Sequence, residues 1–166
     1  MKTKLFTLLF ACTLIFSCSS DKEDDPVTEN NLIGSWDLTA LEIEESTASD
    51  DEKYASDILD FLSAIDCALM TITFNEDLTV ITENSGNYLE INVNPSGTGL
   101  DVPCPTSKDT SVDTYTFDGE VLTYIDEDML ETTVNVTFSG NTMRISATEL
   151  DFANFDDGGF LVFTKR

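Results

Sequence analysis

From residue 68 onward, apolar side chains recur at every second position in one short segment after another, and this period of two is the strongest constraint on the fold. ALMTITF (68–74), LTVITE (78–83) and NYLEINV (87–93) alternate in this way, separated by the turn-forming NED at 75–77 and NSG at 84–86. Such alternation sets one face of each segment on a core and the other in water, as in a half-buried strand. Farther along, TFDGEVLTY (116–124) lines up with TFSGNTMRI (137–145), 21 residues later. In both, a strand ends at Phe, a glycine-containing turn follows and a second strand begins. We read two hairpins in series, a meander and not a solenoid repeat. FLVFTKR (160–166) supplies a closing strand.

Strands are expected near 35–44, 68–74, 78–83, 87–93, 112–117, 121–126, 131–138, 142–150 and 160–165, eight or nine in all. A meander of that size removes its exposed edges by closing on itself. The expected fold is therefore all-β, an antiparallel up-and-down barrel of about 8–9 strands. Residues 49–66 depart from the pattern: Tyr54, Ile58, Leu59, Phe61, Leu62 and Ile65 fall at helical spacing. Ser49 and Glu52 bracket a capping box. A helix of about four turns is thus inserted between strands 1 and 2, its apolar stripe against the sheet. Residues 32–166 are one domain's worth of chain, enough to bury a core.

The start of the chain reads differently. Lys2 and Lys4 precede residues 5–16, which carry no charge. That run is shorter than the roughly 20 residues of a membrane-spanning helix and has the form of a secretory signal peptide. Ile15-Phe16-Ser17-Cys18 resembles a bacterial lipobox, which implies removal of residues 1–17 and attachment of a lipid to Cys18. The other reading is an ordinary signal peptide cut elsewhere, with Cys18 free or bridged. Residues 18–31 then form a lipid-anchored acidic tether, SSDKEDDPVTENN after the cysteine, too polar to offset its ordering entropy. The acidic run resembles the export signal of some Gram-negative outer-membrane lipoproteins, although a plain solvated linker reads the same way. The expected location is the cell envelope, anchored by lipid at the outer membrane and a candidate for surface display.

Of the four cysteines, Cys12 would be discarded with the signal peptide and Cys18 acylated, leaving Cys67 and Cys104. Outside the inner membrane such a pair forms a disulfide. Zinc is the rival, but the chain has neither C-x-x-C nor any histidine. Charge narrows the partners: 8 Lys+Arg stand against 32 Asp+Glu, and cleavage before Cys18 removes two of the basic residues and none of the acids. A nucleic-acid binder needs a basic footprint, so none is expected here. The excess leaves room for a basic protein partner or for calcium.

LIGSWDL (32–38) resembles the G-x-W opening of lipocalins and of bacterial lipocalin-like domain lipoproteins. The latter have a lipobox, an acidic tether, an L-x-G-x-W-x-L strand, a cysteine after an early inserted segment, and a last strand ending in Phe-x-x-Arg. Cys18, Gly34, Trp36, Cys67 and the final FTKR (163–166) match that layout. The resemblance implies that Trp36 plugs one end of the barrel, under a cation from the last strand, Lys165 or Arg166. Gly34 would let the chain turn tightly beneath it. The turn NEDL (75–78) has Leu where related chains often have Gly.

Nothing in the sequence carries catalytic chemistry. Without histidine there is no Ser-His-Asp or Cys-His system. There is no phosphate loop, and Gly97-Thr98-Gly99 lacks the setting of a dinucleotide site. Paired carboxylates could run a glycosidase, but among 32 acids close pairs arise by chance. No enzyme activity and no cofactor are expected. The acidic stretches 126–128 and 151–159 hold oxygen ligands without EF-hand spacing, and Phe152 and Phe155 are candidate anchors for a partner. Two functions remain open. One is a binding module holding a small hydrophobic ligand, with Leu38, Ile72, Phe74, Val80, Ile91, Val134, Val136 and Ile145 facing inward. The other is an acidic interaction or inhibitor module of an envelope complex, with no small-molecule ligand.

Overall fold

The computed structural model describes residues 29–97, 99–125, 129–150 and 158–166. Cys18, the signal segment, most of the tether, the acidic run 126–128, Phe152 and Phe155 lie outside the described residues. A one-turn helix α1 (Glu29–Leu32) leads into β1 (Gly34–Glu42), then α2 (Asp50–Ala64), β2 (Met70–Phe74) and β3 (Thr79–Asn84). Next come two short strands, β4 (Asn92–Val93) and β5 (Leu100–Asp101). They are followed by β6 (Asp109–Phe117), β7 (Val121–Ile125), β8 (Glu131–Ser139), β9 (Thr142–Ser146) and β10 (Phe160–Lys165). Eight of these close into an antiparallel barrel in the order β1-β10-β9-β8-β7-β6-β3-β2. Closure is made by β1 against β10, with Trp36 opposite Lys165 and Leu41 opposite Leu161.

Alternation puts the core where the sequence requires it. On β8, Val134 and Val136 are buried while Thr133, Asn135 and Thr137 face outward. A register shift between Leu38 and Ala40 changes the phase of β1, so that Leu38 and Leu41 are both buried. The tight β2–β3, β6–β7 and β8–β9 turns share the barrel end at which β1 begins. The long connections, α2 among them, are at the other end.

Three expectations need correction. Residues 87–93 do not form a barrel strand, because β3 pairs directly with β6. Gly86–Tyr88 makes a single 3-10 turn instead, started by Asn84 Oδ1 accepting from the Gly86 N–H at 2.8 Å. Asn87 and Tyr88 then donate to Asp109 at 2.8 and 2.7 Å, which pins this turn to the first residue of β6 without adding a strand to the barrel. Ile91, expected to face inward on a strand, is 43 % exposed. Second, β9 ends at Ser146, and Ala147–Leu150 is a 3-10 turn whose Glu149 accepts from the Asn135 backbone and side chain. Third, the apolar stripe of α2 is split. Ile58 and Leu62 are buried, whereas Tyr54, Phe61 and Ile65 are exposed.

The helix is bounded by local chemistry. Glu52 N–H donates to Ser49 Oγ at 3.2 Å and Ser49 N–H to a Glu52 carboxylate oxygen at 2.7 Å, completing the capping box. At its end the N–H groups of Asp66 and Cys67 return to the carbonyls of Ser63 and Leu62, a Schellman motif with Asp66 at φ 57° in the position glycine favours. Cys67 is bonded to Cys104 with Cα atoms 5.9 Å apart. This bridge, with Ile58, Leu62 and Val102, makes a second small core that ties the 85–108 connection to α2.

Candidate functional site

One end of the barrel is filled. Trp36, 1 % exposed, donates from Nε1 to the Leu32 carbonyl at 2.8 Å. Its ring lies 5.6 Å from that of Phe138, which meets Phe117 at 6.0 Å, while Phe74 and Tyr115 form an edge-to-face pair at 5.1 Å. Aromatic pairs in such tilted arrangements add to the burial of their rings. The cation above Trp36 is Lys165, with Nζ 5.0 Å from the ring centroid and 3.0 Å from the Asn31 carbonyl. Arg166, the other candidate, takes a different partner: Nε donates to Asp37 Oδ2 at 2.7 Å, which holds the guanidinium above its ordinary pKa. Thr71 bridges the same pair, donating to Asp37 Oδ1 at 2.6 Å. Gly34, at φ 124°, admits the Lys165 stem: a Cβ there would meet its Cε at 2.9 Å.

The other end is not filled. Above the aromatic plug the barrel keeps a chamber of about 290 Å³. Phe74, Val80, Leu122, Val134, Ile145 and Phe163 form its apolar surface. Thr82 and Asn84 from β3, with Ser111 and Asp113 from β6, add one polar wall. This wall follows from register, because Val80 pairs with Asp113 and Thr82 with Ser111 on adjacent strands. Of the inward residues expected from sequence, Ile72, Phe74, Val80, Val134 and Ile145 line this chamber. Val136 is buried without lining it.

A second chamber of about 560 Å³ lies between α2, the end of β1 and the start of the 85–108 connection. Leu38, Leu41, Ala55, Ile58, Leu59, Leu89 and Leu161 line it, and so does Ile91. Met70 and Asn84 belong to both chambers, so the two meet at the barrel mouth. Glu52, on the helix face turned toward the barrel, is a wall of the outer chamber and only 2 % exposed. One of its carboxylate oxygens accepts from Ser49 N–H, while Oε1 is buried with no hydrogen-bond partner.

In the sequence Glu52 reads as a helix cap. The signal for its burial was present: Glu52, Ala55, Leu59 and Leu62 fall at i, i+3, i+7 and i+10, a single helical stripe. Asp113 and Ser111 were hidden in a strand whose outward face carries exposed Val112, an inversion that reads from sequence as the opposite register. Among the described residues no group of three or more His, Cys, Asp or Glu side chains is placed to hold a metal ion. Nor is any described helix long and apolar enough to cross a membrane. Comparison with models of known families, with characterised proteins and with solved structures found no match for this chain.

Proposed function

We propose that this is an envelope lipoprotein, anchored through a lipid on Cys18, whose barrel holds a small hydrophobic ligand. The observation that carries the reading is the chamber above the aromatic plug. A barrel of eight strands can be filled by its own side chains. This one retains about 290 Å³ inside and a larger, mostly apolar chamber at its mouth. Mostly apolar concavities with a few convergent polar groups are the usual form of small-molecule sites. The anchor, the removal of residues 1–17 and the outer-membrane location rest on the sequence pattern around Cys18. The kinship to lipocalin-like lipoproteins rests on Gly34, Trp36 and the chain's layout. The reading assigns no catalytic residue and no cofactor.

Native and denatured mass spectra of protein purified from its own host test this. Extra mass present only in the native spectrum identifies the ligand class. A native mass equal to the bare lipidated chain refutes the carrier reading. The denatured spectrum also reports whether the chain starts at a diacylated or triacylated Cys18.

The second reading, an acidic interaction module, is favoured by one surface. Tyr54, Phe61 and Leu100 are exposed around a shallow cleft between α2 and the β4–β5 hairpin. Loss of a co-purifying protein on Phe61→Ser would support it.

A further inference from the structure

The two chambers contain no lysine or arginine among the described residues that line them, while Asp113 lines the inner and Asp51 and Glu52 the outer. Four of the basic side chains are committed elsewhere. Lys108 pairs with Glu83, Arg144 with Glu42 and the Phe160 ring, Arg166 with Asp37, and Lys165 covers Trp36. A ligand with a carboxylate or phosphate head would therefore bring a negative charge into an apolar site that offers it acids and no counter-ion, an arrangement that low-dielectric surroundings penalise. Glu52 presents the opposite opportunity. Its capping role uses one oxygen, on Ser49 N–H; Oε1 is buried beside the outer chamber with no donor. Buried carboxylate oxygens without donors are uncommon, and each calls for a specific explanation.

On this basis, and resting on the carrier reading above, we propose that the ligand is a cationic amphiphile. Its hydrocarbon part occupies the inner chamber, and its protonated amine donates to Glu52 Oε1 at the barrel mouth. Met70 and Asn84 line both chambers, so the two adjoin, and the proposed ligand spans them there. A charge-assisted hydrogen bond to Glu52 satisfies the oxygen that the helix cap leaves over.

The test is displacement of the uncharged fluorophore N-phenyl-1-naphthylamine by dodecylamine, dodecanol and dodecanoate, which share a chain and differ in head group. Dodecylamine is expected to compete about tenfold more strongly than the other two, the scale of one charge-assisted hydrogen bond. In Glu52→Gln, which keeps an oxygen for the Ser49 cap, the amine-to-alcohol ratio should collapse toward one. In Glu45→Gln, a charge change on the exposed turn before the helix, the ratio should persist. Thermal melts of each variant separate loss of preference from loss of fold. Equal competition by dodecanoate overturns the proposal, as does a preference that survives Glu52→Gln or disappears in Asp113→Asn instead. So does a preference that vanishes in high salt, which would mark general attraction to an acidic surface. If neither the fluorophore nor any of the three amphiphiles binds, the carrier reading itself fails.

Discussion

Leu78 occupies the left-handed region at φ 64° in the β2–β3 turn, half exposed, with its N–H returned to the Asn75 carbonyl. An L-residue there carries steric strain that glycine does not, partly offset by glycine's greater freedom when unfolded. Leu78→Gly should therefore stabilise the fold by about 0.5–1 kcal/mol in urea titrations. A loss of stability would mean the leucine side chain contributes packing that its exposure conceals. Asp109 has its pKa lowered by hydrogen bonds from Asn87 and then Tyr88. A carboxyl depressed in the folded state stabilises above its unfolded pKa and loses that contribution as pH falls through the folded value. Wild type should exceed Asp109→Asn in stability near neutrality, with the gap narrowing as pH drops below about 4. A gap independent of pH would show that shape, not charge, matters there. The sequence exposed the unusual Leu78, since a turn with leucine in a glycine-like position is visible as text. The burial of Glu52 was written in its stripe with Ala55, Leu59 and Leu62, but the capping motif overshadowed it, because that motif explains a glutamate without reference to what lies behind it.

At the scale of elements, the barrel strands were legible from period two, with one alternating segment misassigned, and the helix from its spacing and its cap. The error at 87–93 has a physical cause. Alternation states that a segment could line a sheet, but pairing is decided by which edge is available, and β6 had taken the edge of β3. What holds the displaced segment is covalent. The Cys67–Cys104 bridge closes a span of 37 residues that contains it. Replacing both cysteines by serine should cost about 3–4 kcal/mol on the chain-entropy view. Amide exchange should accelerate first between residues 86 and 104, while β7 to β10 keep their protection. Uniform acceleration across all strands would mean that the bridge supports the whole barrel and not chiefly its excursion.

The whole molecule carries a formal charge of −24, with three described ion pairs to set against it. Exposed pairs contribute little, whereas self-repulsion among so many carboxylates is reduced by screening. Melting temperature should rise as sodium chloride increases from roughly 10 mM to 0.3 M. A flat or falling curve would show that the pairs outweigh the repulsion. A closed barrel could be inferred from strand number alone, but not whether it was hollow. Empty volume depends on how side chains from facing strands meet, which no single segment records.

The fastening of the tryptophan end also fixes a direction. Leu32 caps Trp36 there, and Lys165 reaches the Asn31 carbonyl, so the polypeptide enters the domain beneath its plug. Under the lipoprotein reading proposed above, a tether rooted in a bilayer upstream of that point would join the barrel at its sealed base. The point of attachment and the mouth would then lie at opposite ends of the barrel, so that lipid anchoring would leave the opening clear.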